Sequence, residues 1–187
     1  MNGNRKGFSP WSLIFCLLAW LCLASQRADA TQFLPLSIEQ ITKASQLIVQ
    51  GTVTSKTTLR DDTGRIYTKV DLAIADLWKG TLTTNHLTIA LAGGVLGEER
   101  VVAVGQADYN VGEEVIAFLV LNQRGEGVTL GLAHGKFEVH AEPGTGRRMA
   151  HSQFHGRPPA IQTAPKPGSR PPLTVDELKQ RVLNAGK

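Results

Sequence analysis

Residues 115–121 have the sequence VIAFLVL, an unbroken run of apolar side chains that begins after two glutamates. In a β-strand, successive side chains point to opposite faces of the sheet. A strand made only of apolar residues therefore has to be buried on both faces, and a sheet with one solvated face cannot hold it. The run predicts a central strand with one face inside a barrel or sandwich and the other face covered by another element.

Glu113 and Glu114 immediately precede this run and raise the question of a paired-acid active site. If the strand begins here, the two carboxylates point to opposite faces and cannot converge on one substrate atom. Glu98 and Glu99 have the same limitation in an extended segment. We expect none of these four glutamates to be catalytic.

Several other segments between residues 47 and 142 alternate apolar and polar side chains or form short apolar runs, which is typical of strands. Turns rich in Gly, Asp and Asn separate them, and Gly51 predicts a bulge or tight bend in the first strand. Because no segment of helical length lies between the strands, a parallel α/β fold is disfavoured. The predicted strands are 47–55, 66–78, 86–94 and 101–104, with one or two more in 128–140.

A helix is predicted at each end of the strand region. Ser37 with Gln40, and Thr174 with Glu177, have the spacing of a capping box, in which two side chains bond the free N–H groups of a helix start. We expect the C-terminal helix, 173–187, to dock on the barrel and cover the second face of the apolar run, rather than bind another surface. Its apolar face is formed by Val175, Leu178 and Val182.

The first thirty residues have the layout of a secretory signal peptide. Arg5 and Lys6 supply a positive start, an apolar stretch follows, and Ala28 and Ala30 fit the small-residue cleavage pattern. The apolar stretch is shorter than the ~20 residues that span a bilayer, so we predict cleavage rather than an anchor. Both cysteines of the chain lie in this segment, so the mature protein would have no disulfide. We expect it to be secreted or periplasmic.

Charge is distributed unevenly along the chain, whose formal net charge is +4. Residues 31–142 contain 9 Lys and Arg against 13 Asp and Glu, so the predicted barrel domain is acidic. Residues 143–172 contain 5 basic and no acidic residues together with most of the prolines, a composition that predicts a mobile linker. No basic globular face for nucleic acid is indicated. The linker is interpreted as a solvated tether, with contact to an anionic surface as the alternative.

No sequence motif of a known catalytic centre or phosphate-binding loop is present, and we predict no enzyme activity and no cofactor. The five histidines are candidate metal ligands. His151 and His155 have the spacing of one helical face, but they lie among glycines and prolines, where no helix is expected. His134 and His140 flank a short strand, and weak metal binding across a hairpin is left open there. His86 is the fifth histidine, and no metal site is predicted.

Residues 44–139 contain, in order, the motifs ASQLIVQGTV, VDLAIADLWKG, LAGGVLG, VGEEVIAFL and GKFEV. In this order the chain resembles a group of exported bacterial proteins of unassigned function and, more remotely, netrin-like domains and tissue inhibitors of metalloproteases. The resemblance implies an OB-type five-stranded barrel with helices packed on it. Those inhibitors chelate the protease metal through an N-terminal cysteine, whereas the mature chain would begin at Thr31. That mechanism and its residues are therefore not carried over.

The sequence thus predicts a mainly β fold, a small antiparallel OB-like barrel with a leading helix and a C-terminal helix. The barrel domain is placed at 31–142, the linker at 143–172 and the helix at 173–187. A complete fold signal without a catalytic signature predicts an exported non-catalytic binding module that engages a protein or an extracellular polymer through barrel loops. Two alternatives remain, a protease-associated inhibitor or accessory protein and an enzyme without a recognisable motif.

Overall fold

The computed structural model describes residues 36–153 and 173–186, so the predicted signal segment lies outside the described residues. Two helices are present among them, α1 (Ile38–Ala44) and α2 (Val175–Ala185). The strands are β1 (Leu47–Arg60), β2 (Ile66–Lys79), β3 (His86–Leu96), β4 (Glu99–Val102), β5 (Glu114–Leu121), β6 (Gly127–Thr129), β7 (Lys136–Ala141), β8 (Arg148–His151) and β9 (Leu173–Thr174), with a 3₁₀ turn at Leu132–Gly135.

Five strands close a barrel in the order β1, β2, β3, β6 and β5, and β5 pairs back onto β1. The pairings are antiparallel except between β3 and β6, which meet in parallel at Ile89 and Gly127. Strands β7, β8 and β9 continue the sheet outward from the other edge of β5. The predicted mainly β barrel with a helix at each end is confirmed.

Strand β5 contributes its two faces to two separate apolar cores. Its residues Val115, Ala117 and Leu119 lie inside the barrel with side chains of β1, β2 and β3, and we call this the barrel core. Ile116 and Phe118 point outward into a second cluster with side chains of α1, α2 and β7, which we call the outer core. All five side chains are fully buried. The predicted burial of both strand faces is therefore confirmed.

Helix α2 docks on the outer face of β5, as predicted, because its apolar face is part of the outer core. That face is formed by Val175, Leu178 and Val182. Two ion pairs hold the polar sides of the helix: Lys179 Nζ lies 2.6 Å from Asp76 Oδ2, and Arg181 Nη2 lies 2.5 Å from Glu39 Oε1. Each pair is partly exposed, and such pairs contribute only about 0–1 kcal/mol. Docking therefore depends mainly on the apolar face.

Both helices begin at the predicted capping boxes. The Ser37 hydroxyl accepts from the Gln40 N–H at 3.2 Å, and the Gln40 side chain accepts from the Ser37 N–H at 2.8 Å. Thr174 and Glu177 make the same reciprocal pair, at 3.1 and 2.8 Å. These bonds satisfy N–H groups that the first turn leaves without a helical partner.

Strand β1 bends at the glycine that the sequence marks. Its register with β2 shifts between Gln50 and Gly51, and a Cβ at Gly51 would lie 2.4 Å from the carbonyl oxygen of Ala73. Only a glycine allows the two backbones to approach this closely. The predicted bulge is confirmed, and it lets one long strand pair with β2 along its length and with β5 at its start.

The structure differs from the predicted strand ends around Gly93 and Gly94. Strand β3 continues through both glycines to Leu96, where the sequence predicted its end at Gly94. The short apolar strand lies at Glu99–Val102 instead of 101–104. The reason is that β3 and β4 form a tight hairpin, whose turn at Gly97 fixes the register of both strands.

The linker prediction is wrong for residues 148–151, which form β8. This strand pairs with β7 from Glu138–His151 to Ala141–Arg148, and Met149 and Ala150 are buried. Two apolar residues suffice here because an existing strand edge supplies the hydrogen-bond ladder. Residues 154–172 of the predicted linker lie outside the described residues. Within the parts of the chain that the structure describes, no helix is long and apolar enough to cross a membrane.

We expect Leu178→Ala to lower the free energy of unfolding by about 2–5 kcal/mol, because it leaves a cavity between α2 and β5. Leu178 is fully buried, whereas Leu183 on the same helix is 41% exposed. The matched control Leu183→Ala should change stability by less than about 0.5 kcal/mol. Denaturant unfolding followed by circular dichroism measures both values. Equal losses in the two variants would show that α2 is not docked by this face.

Candidate functional site

A buried lysine closes one end of the barrel. Lys136 begins β7, and its side chain is only 6% exposed. Its Nζ lies 2.8 Å from Glu113 Oε2 and 3.1 Å from Glu138 Oε1, and it also donates to the backbone oxygen of Asp108. The ammonium group lies 5.0 Å from the ring centre of Tyr109. Burial of an ammonium is costly unless its donors are satisfied, and here all of them have acceptors.

The groups around Lys136 form a structural ion-pair network. Burial acts to raise the pKa of Glu138, but the hydrogen bond and charge of Lys136, together with hydrogen bonds to His140 and Glu113, outweigh it, and the pKa lies below its ordinary value. Burial raises the pKa of Tyr109, whose hydroxyl shares a 2.8 Å hydrogen bond with Thr129. A hydrogen bond from Lys56 lowers the pKa of Asp108. The Lys136 donors are therefore saturated by acceptors inside the network, which suits barrel closure better than proton transfer.

The glutamates at the start of β5 diverge as predicted. Glu113 contacts Lys136 at the barrel end, whereas Glu114 accepts from the Gln50 side chain at 2.7 Å and from Arg148. Each carboxylate thus has its own set of partners. Glu99 lies 2.6 Å from Arg60, and Glu98 lies exposed in the neighbouring turn.

The histidines are not arranged as the open metal hypothesis required. His134 is buried in the 3₁₀ turn, with Nδ1 2.8 Å from the Gly131 oxygen, and His140 is exposed near the far end of β7. A strand of this length separates them by roughly 15 Å, so they do not meet across a hairpin. His140 instead lies beside His151, with ring centres 5.8 Å apart.

His151 belongs to strand β8, and His155 lies outside the described residues. Among the described residues, no group of three or more His, Cys, Asp or Glu side chains could hold a metal ion.

The hairpin of β3 and β4 exposes four valines, and we call residues 95–104 the valine hairpin. Val95 is 60% exposed, Val102 is 67% exposed and Val104 is 89% exposed, while Val101 is 47% exposed. All four residues of β4 are exposed, so neither face of this strand is covered. Among the described residues, β4 pairs only with β3. An uncovered apolar edge strand is a surface that natural proteins usually protect.

Glycines explain why the valines are uncovered. Gly93 is opposite Val102, and Gly94 is opposite Val101, so no cross-strand side chain lies over either valine. Side chains cannot replace these glycines: a Cβ at Gly94 would lie 2.4 Å from the Thr68 hydroxyl, and both glycines have positive φ. The exposure of the hairpin is therefore a consequence of the backbone that the glycines make possible.

A polar cleft lies at the opposite end of β3. Its volume is about 410 Å³, which lies in the range of small-ligand sites. The lining residues are Thr54, Ser55, Asp71, His86, Leu87 and Thr88. Strand register produces it, because Ser55 is opposite Asp71 and Asp71 is opposite Thr88 on one face of three strands.

The Asp71 carboxylate is held from both sides. Ser55 Oγ donates to Oδ2 at 2.6 Å and Thr88 Oγ1 donates to Oδ1 at 2.7 Å. These two hydrogen bonds lower the pKa of Asp71, so it stays charged. Because the Ser55 hydrogen is directed to Asp71, the cleft lacks the serine–histidine hydrogen bond that activates a nucleophile.

Sequence reasoning missed both Lys136 and the Asp71 cleft. Lys136 stands in a strand motif, and only its 6% exposure reveals that its side chain is inside. The alternation of the strand gives no signal for this burial, because Lys136 is in phase with the polar Glu138 and His140. Asp71 alternates with the buried Val70 and Leu72 in its strand, and this pattern indicates only that Asp71 lies on the polar face. Its neighbours Ser55 and Thr88 are 16 and 17 residues away, so only strand register brings them together.

No protein-family model matches the chain, and no curated protein matches it. The resemblance to netrin-like domains and metalloprotease inhibitors therefore stays a prediction.

We expect Lys136→Met to lower the free energy of unfolding by about 3–5 kcal/mol, because it leaves the largely covered Glu113 carboxylate without its partner. The double variant Lys136→Met/Glu113→Gln should be more stable than the single variant, since it also removes the buried charge. The control is Lys56→Met, whose ion pair with Asp108 is largely exposed and should cost at most about 1 kcal/mol. Denaturant unfolding measures all three. A double variant that is less stable than Lys136→Met would contradict the ion-pair account.

Proposed function

We propose that this protein is an exported, non-catalytic binding module whose partner is a protein docked on the valine hairpin. The observation that carries the proposal is the exposure of Val95, Val101, Val102 and Val104 on a hairpin whose edge strand, β4, has all four of its residues exposed. Apolar patches rimmed by polar residues mark interaction surfaces on soluble proteins. Here Glu98, Glu99 and Arg100 supply that rim.

Within residues 36–153 and 173–186, β4 pairs with β3 alone, and its other edge supports strand addition as the mode of binding. An extended segment of the partner would pair with the backbone of β4 and pack apolar side chains on the valines. Backbone hydrogen bonds would supply affinity, and the alternating side chains would supply specificity. A protein partner fits this surface better than a polysaccharide or polyanion, because the exposed residues of the hairpin centre are aliphatic rather than charged or aromatic.

The other functional interpretations gain less support from the described residues. The buried Lys136 network has saturated partners, and the Asp71 cleft lacks an activated nucleophile. With the valine hairpin as the binding surface, the predicted location of function stays in the connections between barrel strands. Residues 97–104, which form the turn and edge of the valine hairpin, belong to such a connection. Export supports a partner outside the cytoplasm.

The experiment compares the full chain with Val102→Lys and with the control Leu183→Lys, which changes an exposed leucine on α2. Lysine at an edge strand opposes strand pairing, whereas a lysine near the C-terminal end of a helix is tolerated. Immobilised protein is incubated with the exported proteins of the same cell, and retained proteins are identified by mass spectrometry.

We expect at least one protein to be retained by the original chain and by Leu183→Lys but not by Val102→Lys. Its purified form should bind Val102→Lys at least about tenfold more weakly, the loss typical of a central interface residue. If no retained protein distinguishes the two variants, the valine hairpin is not the binding surface. Circular dichroism checks that both variants keep the fold.

A further inference from the structure

The floor of the Asp71 cleft presents hydrogen-bond acceptors and lacks free donors. Ser55 and Thr88 use their single hydroxyl hydrogens on the Asp71 carboxylate, and Thr54 donates its hydrogen to the Asp71 backbone oxygen at 3.1 Å. A hydroxyl that donates inward keeps only lone pairs for a ligand. The carboxylate adds its remaining lone pairs and its negative charge.

The lysine on the same strand face makes its ion pair with another carboxylate and acts on Asp71 only through space. The hydroxyls of Ser55 and Thr88 are the main cause of the lowered pKa of Asp71, and the charges of this lysine and of His86 add to their effect. Lys69, two residues from Asp71, lies 3.0 Å from Glu126 Oε1. Glu126 also accepts from Asn122 at 2.8 Å and from Arg124 at 2.9 Å, and these bonds lower its pKa to about 2. Lys69 is thus held by a carboxylate that stays ionised. The Asp71 charge remains available to a ligand.

We propose that the cleft binds a ligand bearing a primary ammonium group. An ammonium supplies three donors and a positive charge, which match the acceptor-only floor and the ionised Asp71. The Asp71 charge repels phosphates and carboxylates, and the hydroxyls of Thr54, Ser55 and Thr88 have no hydrogen left to donate to them. A calcium ion takes six to eight oxygen ligands, whereas a single carboxylate lines this cleft. The cleft is formed at the start of β3 and the valine hairpin at its end, so this inference does not depend on the proposed function.

The volume of about 410 Å³ admits more than the ammonium group itself. The exposed imidazole of His86 forms the rim, whereas the side chain of the neighbouring Leu87 belongs to the barrel core. An amino sugar and a plain alkyl amine both present the required group on a body that such a cleft can hold. The experiment separates these two sources.

The full chain is titrated with glucosamine, diaminobutane and N-acetylglucosamine, and NMR shifts or calorimetry report the dissociation constants. Low ionic strength keeps charge interactions unscreened. We expect glucosamine or diaminobutane to bind, and N-acetylglucosamine to bind at least about tenfold more weakly than glucosamine, because acetylation removes the charged donor. Preference for glucosamine identifies an amino sugar, and preference for diaminobutane a plain amine. Equal binding of the acetylated sugar, or no binding of either amine, overturns the proposal.

Variants test the location. Asp71→Asn should weaken binding of the preferred amine at least about tenfold, because it removes the charge partner. Asp62→Asn, in the exposed turn between β1 and β2, is the matched control and should leave binding unchanged.

His86 is exposed, so we expect its substitution to leave the fold intact, and it provides a second test. His86→Lys should weaken binding and His86→Glu should strengthen it, since they place opposite charges at the rim. If Asp71→Asn fails to fold, the two His86 variants decide whether the amine binds in this cleft. Unchanged affinity in both His86 variants overturns the location.

Discussion

The burial of β5 on both faces is the constraint on which the rest of the structure depends. Val115, Ala117 and Leu119 complete the barrel core, while Ile116 and Phe118 begin a second core outside it. Without a cover, that second face would expose a contiguous apolar surface. Helix α2, helix α1 and strand β7 supply the cover. In a barrel alone, the outer face of β5 would be exposed to solvent. Because this face is apolar, β5 links the barrel to the layer of elements that covers it.

At one end of the barrel, the apolar core gives way to a network of polar side chains that closes it. Tyr109 and Ala107 come from the loop before β5 and are buried in the barrel core. Above them, Lys136 joins Glu113 and Glu138 in a network whose members are mutually saturated. Such a network is destabilising if one partner is missing, so it specifies one arrangement of β5, β7 and the loop. The groups that are available to a ligand or partner lie elsewhere. They are the exposed side chains of the valine hairpin and the hydrogen-bond acceptors of the Asp71 cleft.

Several elements were predictable because their signals are local. The capping boxes at Ser37 and Thr174, the bulge at Gly51 and the apolar run of β5 each depend on residues close in sequence or on a short-range period. The candidate surfaces were less predictable. From the sequence, Gly93 and Gly94 were predicted to end a strand. The sequence did not show that each glycine lies opposite a valine and leaves that valine exposed. Strand β8 was missed because composition does not report an available strand edge.

The amino-acid sequence alone determined the class of fold, since alternation, turn residues and an apolar run act through nearest neighbours along the chain. It also determined that both faces of β5 must be buried. The apolar face of the C-terminal helix, which can bury one of them, is likewise evident from the sequence. The tertiary structure alone decided which polar side chains meet. Ser55, Asp71 and Thr88 converge only through the registers of β1, β2 and β3, and Lys136 reaches Glu113 only when the barrel closes. The physical reason is that a shift of one residue in strand register turns each side chain to the opposite face.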